Sequence, residues 1–144
     1  TAAIGLSQLK RLNKSIDIRK QNRNDVINAL QSSPKWKGQL TFLEPVKNLK
    51  PSWFGIPILL NKKFLKNKKK YLSYLNKKGI ETRPIISGNF VNQPSIKLYN
   101  LNKNHEKFPN AQDIENRGFF IGLHTKKVDK KDLKNLTNIL LSIN

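Results

Sequence analysis

The sequence places one arginine, Arg83, beside a loop that is rich in hydrogen-bonding side chains. Arg83 lies in the strand-like segment 80–86. The residues that follow carry hydroxyl and amide groups: Ser87, Asn89, Asn92 and Gln93. Because a guanidinium offers a fixed fork of donors, a ligand with many hydroxyls or with phosphates suits this stretch. The alternative is that Arg83 pairs with a nearby carboxylate, Glu81 or Glu106, and that Gly88-Asn89 forms an ordinary turn.

The other titratable residues give weaker indications of chemistry. His105 lies in a polar stretch, where we expect it to be solvated. His124 directly follows the strand-like segment 119–123, so both a binding role and a structural role are open for it. Asp113 and Glu115 lie in the first turns of a short predicted helix, where negative charge is favourable. No carboxylates are paired for acid–base catalysis. The spacing of the two histidines does not exclude a metal site, but no cluster of carboxylates accompanies them, so we expect none.

Composition excludes several classes of site. The sequence has no cysteine, which rules out disulfides, thiolate zinc sites and cysteine nucleophiles. It also lacks the glycine-rich dinucleotide fingerprint, the P-loop, and the zinc-protease and serine-hydrolase motifs. No apolar run approaches the ~20 residues that cross a bilayer. We expect a cytoplasmic protein without a membrane partner.

The charge of the chain raises a nucleic-acid-binding alternative. Its 144 residues include 28 Lys+Arg and 9 Asp+Glu, a net charge of +19. Polycations bind phosphate backbones by releasing counterions, but 23 of the 28 basic residues are lysines and there are 18 asparagines. Specific readers of bases and phosphates use the arginine fork, so we favour a general compositional bias over a specific nucleic-acid partner.

The pattern of apolar residues predicts an α+β fold. A long helix is expected from Ala2 to about Leu30, followed by a loop at 36–51 that contains one short piece of strand at 40–43. The first main strand is expected at 53–60, and Pro57 places it toward a sheet edge. Asn61 is expected to cap a helix that runs to Lys78 and stops at Gly79. The remaining elements are predicted as a strand at 80–86, an irregular loop at 87–109, a helix at 111–117 capped by Asn110, a strand at 119–123 and a closing helix after Asp129. The result is a small antiparallel sheet of about three strands covered by helices.

Three segments, in order, resemble the C-terminal part of the pyridoxal-phosphate-dependent nucleotide-sugar aminotransferases of the DegT/StrS type. They are AAIGLSQL at residues 2–9, GIETRP through SGNF to QP at 79–94, and FPNA leading to GFFIGLH at 108–124. The Arg-Pro, Ser-Gly-Asn and Gln-Pro block and the Ile-Gly-x-His ending resemble the 4-keto-6-deoxysugar 3-dehydratase branch of that family.

The resemblance implies that residues 1–144 form the single small C-terminal domain of a longer fold type I enzyme. The absence of methionine agrees with such a fragment. The resemblance further implies a homodimeric parent that acts on a nucleotide-linked sugar in deoxysugar and polysaccharide synthesis. Pyridoxal phosphate would be held by a large domain that this chain lacks, so we expect no cofactor and no activity in the chain alone. By similarity, Arg83, Asn89 and His124 would face the sugar or the cofactor from the small domain.

Overall fold

The computed structural model describes residues 2–101 and 107–143, which form five α-helices and four strands. The helices are α1 (Ala2–Gln31), α2 (Lys68–Lys77), α3 (Pro94–Leu98), α4 (Pro109–Arg117) and α5 (Lys130–Leu140). The strands are β1 (Leu40–Phe42), β2 (Gly55–Leu60), β3 (Thr82–Arg83) and β4 (Gly118–Gly122). Lys62–Asn67 and Phe90–Asn92 are 3-10 helices.

The four strands form one small sheet in the order β1-β2-β4-β3. β1 runs antiparallel to β2 with Leu40 opposite Leu60, and β3 runs antiparallel to β4 with Arg83 opposite Phe120. The predicted α+β class is therefore confirmed, with β1 as a fourth strand beside the three main ones.

Within the described residues the chain divides into two compact units. The first comprises Thr1–Lys37, Glu44–Ile56 and Gly122–Ser142, and the second comprises Gly38–Leu43, Pro57–Ile121 and Ile143–Asn144. In the first unit α1 packs against α5, where Leu30 and Leu140 are fully buried. In the second unit Tyr71 of α2 meets Phe119 of β4 edge to face, with ring centroids 6.0 Å apart. Aromatic pairs of this geometry contribute beyond the area they bury.

Local signals placed most helix ends correctly. The Asn61 side chain accepts from the Lys63 amide at 3.0 Å, although the turn it caps is a 3-10 helix before α2 begins. Gly79 has φ +82°, the left-handed conformation expected after a helix. Asp129 caps α5 by accepting from the Asp132 amide at 2.7 Å.

Four details of the predicted elements were wrong. β2 lies between β1 and β4 and not at an edge, because β1 pairs only with Ile58–Leu60 and leaves Pro57 outside that ladder. The strand predicted at 80–86 is only two residues long, since Pro84 cannot donate to a ladder. The loop predicted at 87–109 contains the 3-10 helix Phe90–Asn92 and α3. Phe108, and not Asn110, precedes α4, whose first residue is a proline pre-organised for that position.

Among the described residues, no helix combines the length and the hydropathy that a bilayer crossing needs.

Candidate functional site

Arg83 is held at the sheet edge by its own strand and by α2. Its neighbour Thr82 donates its amide to the Asn76 side chain at 3.0 Å, and Arg83 itself lies opposite Phe120 in the sheet. The guanidinium pairs with Glu81, with Nη2 2.7 Å and Nε 2.8 Å from the same carboxylate oxygen. Both side chains are largely exposed, at 61% for Arg83 and 73% for Glu81. Exposed pairs of this kind contribute only about 0–1 kcal/mol, so a ligand anion could displace Glu81 at small cost.

The loop after Arg83 is fixed by two side chains of α4, Glu115 and Gln112. The Asn89 amide donates to Glu115 Oε2 at 2.9 Å. The Gln112 side-chain oxygen accepts from the side-chain nitrogens (Nδ2) of Asn89 and Asn92, at 3.1 and 2.9 Å. The side chains of Asn89 and Asn92, which the sequence suggested as ligand-binding groups, therefore hold the loop against α4.

Gly88 is required at the point where this loop approaches α4. Its φ is +68°, and a Cβ added there would lie 2.8 Å from the Glu115 Cγ atom. Any larger residue would therefore be strained and would push against the side chain that holds the loop. The Ser-Gly-Asn motif of the sequence thus lies against the Glu115 side chain.

A cavity of about 410 Å³ lies in the second unit and is lined in part by this loop and by Arg83. Its polar lining includes Lys68, Arg83, Ser87, Gln93 and Glu115, and its apolar lining includes Phe119. Partial burial lowers the pKa of Lys68, while the nearby Glu115 carboxylate acts in the opposite direction. A wall with two cations, a hydroxyl and an amide can bind a ligand that carries hydroxyl or phosphate oxygens.

Asn89, which the resemblance placed toward the sugar, is 2% exposed. Its side-chain nitrogen donates to Gln112, and its oxygen accepts from the Val91 amide at 3.4 Å. Asn89 therefore stabilises the loop that carries Ser87 and Gly88. Direct contact of Asn89 with a ligand stays a prediction.

His124 belongs to the first unit, whereas Arg83 and Asn89 belong to the second. It follows β4, as predicted, and its exposed side chain accepts a bond from the Lys126 amide through Nδ1 at 2.9 Å. His105 and Glu106, the second histidine and one of the two partners considered for Arg83, lie outside the described residues.

The sequence analysis missed a polar cluster in the middle of α1. Asn22 and Arg23 are 0% and 5% exposed. Arg23 lies over the ring of Trp53 at 4.3 Å and pairs with Glu44 at 3.2 Å. The available signal was the interruption of the apolar pattern of α1 at these positions. In the described part of the chain, no group of three or more His, Asp or Glu residues is arranged to hold a metal ion.

Comparison with known proteins gives consistent matches over almost the whole chain. Residues 1–140 match the DegT/DnrJ/EryC1/StrS aminotransferase family. The GDP-4-keto-6-deoxy-D-mannose 3-dehydratase of Escherichia coli O55:H7 is 31% identical over 124 residues, which are 86% of this chain and 30% of that protein. The enzyme of the same name from Yersinia pseudotuberculosis is 31% identical over 141 residues, covering 97% of this chain and 34% of the relative.

A solved structure of E. coli GDP-4-keto-6-deoxy-D-mannose-3-dehydratase with bound hydrated PLP is similar in fold. It superimposes with a TM-score of 0.78 at 28% identity and covers 96% of this chain and 34% of that one. The chain thus spans about a third of the length of the curated relatives it matches.

The cavity beside Arg83 does not fit pyridoxal phosphate. Such a site needs groups that bind the phosphate and a free group that faces the reactive carbon. Lys68 is the lysine that lines the cavity, but its Nζ donates to the main-chain oxygen of Glu115 at 3.0 Å. No step of a cofactor-dependent reaction follows from these residues.

Proposed function

Because the chain belongs to the DegT/DnrJ/EryC1/StrS aminotransferase family, we propose that it is the C-terminal small domain of a longer pyridoxal-phosphate enzyme. In this proposal residues 1–144 contribute side chains that face a nucleotide-linked sugar, and the residues that hold the cofactor belong to a large domain outside this chain. The proposed parent acts in the cytoplasm, in deoxysugar and polysaccharide synthesis.

The similarity to named relatives supports a 3-dehydratase over an aminotransferase. Both relatives described above at 31% identity are GDP-4-keto-6-deoxy-D-mannose 3-dehydratases. We therefore propose a GDP-linked 4-keto-6-deoxy sugar as the substrate class, with amine transfer by the parent as the second candidate.

The observation that carries this proposal is the position of Arg83 at a cavity of about 410 Å³. The ion pair described above joins the Arg83 guanidinium to Glu81, which is exposed. An incoming phosphate or sugar oxygen would exchange a weak surface pair for a charge-assisted bond. Asn89 and Glu115 would act here by keeping the loop in place, and by the resemblance His124 stays proposed as a further residue that faces the sugar or the cofactor.

A homodimeric parent is also part of the proposal. The first three turns of α1 expose Ile4, Leu6 and Leu9 at 68, 64 and 61%. Apolar side chains in such a row tend to be covered by another protein surface. We propose that the large domain of the parent covers them, and that the chain alone self-associates through them.

Replacing Arg83 by glutamine is expected to weaken binding of GDP-mannose, a stable nucleotide sugar, to this chain. We expect wild-type affinity on the order of 1 mM in an NMR titration that follows the arginine Nε–H signals. Loss of one charge-assisted contact should weaken it about tenfold. Glu81→Gln should instead strengthen binding by up to about fivefold, because it removes the competing carboxylate.

The control for this titration is Arg11→Gln, which removes an exposed arginine of α1. It should leave the affinity unchanged apart from the small loss of net charge. Equal effects of Arg83→Gln and Arg11→Gln, or no effect of Glu81→Gln, would count against the proposed site.

The nucleic-acid-binding alternative rested on the net charge of +19. The family match over residues 1–140 and the relatives at 31% identity give it no support. A high net positive charge by itself predicts only nonspecific attraction to polyanions.

A further inference from the structure

Asn22 is a fully buried polar side chain that uses its whole amide to bind one loop. It lies in the middle of α1 with 0% exposure. Its Nδ2 donates to the main-chain oxygens of His124 and Lys126, at 3.0 and 2.7 Å, and its Oδ1 accepts from the Val128 amide at 3.0 Å. A buried amide whose three hydrogen bonds all go to one segment fixes that segment's backbone, because each lost bond would leave a desolvated polar group.

The loop that Asn22 binds also supplies a hydrogen-bond donor to the ring of His124. With the carbonyls of His124 and Lys126 both bound to Asn22, the Lys126 amide is aimed at His124 Nδ1, 2.9 Å away. A ring nitrogen that accepts a hydrogen bond carries no proton, so the neutral ring must carry its proton on Nε2. The His124 side chain is exposed, and Nε2 is the nitrogen left for a ligand.

We propose that Asn22 is a positioning residue that fixes the tautomer of His124, so that Nε2–H is presented as a hydrogen-bond donor. The ligand group opposite must then be an acceptor oxygen, such as a carbonyl or a phosphate oxygen, and not a hydroxyl acting as donor. That His124 meets a sugar nucleotide rests on the proposed function. The tautomer and its cause are properties of the first unit alone.

The tautomer is measured by long-range proton–nitrogen correlation of the histidine rings in the nitrogen-15-labelled chain. His105→Gln assigns the signals, since the sequence has two histidines. We expect neutral His124 to have a bare Nδ1 and a protonated Nε2. A neutral ring protonated mainly at Nδ1 would overturn the proposal.

The role of Asn22 is tested by Asn22→Ala, with Asn28→Ala as the matched control from the exposed face of the same helix. The first variant should mix the two tautomers of His124, and the second should leave the wild-type spectrum. An unchanged ring signal in folded Asn22→Ala would refute the role of Asn22. A merely stabilising residue would change unfolding without moving the tautomer.

Amide exchange in the wild-type chain gives a second test that does not depend on how the variant folds. The Val128 amide, which donates to Asn22, should exchange at least about tenfold more slowly than the adjacent Lys127 amide. Equal rates for the two amides would contradict the proposal. If the tautomer and exchange agree but GDP-mannose leaves the His124 ring signals unmoved, the ligand role of His124 fails while the positioning role of Asn22 stands.

Discussion

Incubated with pyridoxal phosphate and then dialysed near neutral pH, the 144-residue chain is expected to keep no stoichiometric cofactor absorbance and to turn over no nucleotide sugar. The cofactor supplies an electron sink, and the protein must bind and orient the cofactor for catalysis. Lys68 donates to a main-chain oxygen beside the Glu115 carboxylate. In this arrangement Lys68 is not a free amine, and no other lysine among the described residues lines the cavity beside Arg83.

The control for this experiment is the full-length E. coli dehydratase, whose solved structure is described as having bound hydrated PLP. Treated in parallel, it should keep its absorbance band after dialysis. The many surface lysines of this chain can form reversible imines, so the comparison is made after dialysis and not during incubation. One equivalent of cofactor retained by this chain would contradict the expectation.

Phe119→Ala is expected to lower the free energy of unfolding by about 3–5 kcal/mol, the usual cost of removing a large buried aromatic ring. Phe119 is 1% exposed, lines the Arg83 cavity and packs edge to face on Tyr71. The substitution therefore both opens a void in the core of the second unit and removes one wall of the site.

The matched control is Phe90→Ala, which removes the same ring from a residue that is 56% exposed. It should change the unfolding free energy by no more than about 0.5 kcal/mol. Urea unfolding followed by far-ultraviolet circular dichroism measures both variants. Similar losses for the two would show that Phe119 does not have the core position described here.

Elements whose ends carry a local chemical signal could be predicted from the sequence. The Asp129 and Asn61 caps and the left-handed Gly79 depend on bonds or dihedral angles within a few residues, so the sequence contains the information. The α+β class could be predicted for the same reason, because apolar periodicity distinguishes helices from strands.

Features that depend on partners distant in sequence could not be predicted. The interior place of β2 is decided by β1 ending opposite Ile58, one residue short of Pro57. The loop after Arg83 is ordered by Glu115 and Gln112, more than 20 residues away. From sequence alone, Glu115 was interpreted only as a favourable charge in the first turns of a helix.

The site residues show the same division. The motif around Arg83 identified a segment that does line a cavity, and of the two carboxylates considered as its partner, Glu81 is the one it contacts. The burial of Asn89 and the hydrogen bonds from Asn22 to the loop after His124 could not be predicted from the sequence. Their partners lie 23 and more than 100 residues away along the chain.

Sequencing the messenger RNA on the 5′ side of the Thr1 codon tests most directly whether this chain is one domain of a larger enzyme. Since the chain covers 34% of the Yersinia relative, we expect an uninterrupted reading frame that encodes a cofactor-binding domain. A histidine at its Schiff-base position would indicate dehydration, and a lysine would indicate amine transfer. An initiator codon immediately before Thr1 would contradict the proposal that residues 1–144 are one domain of a longer enzyme.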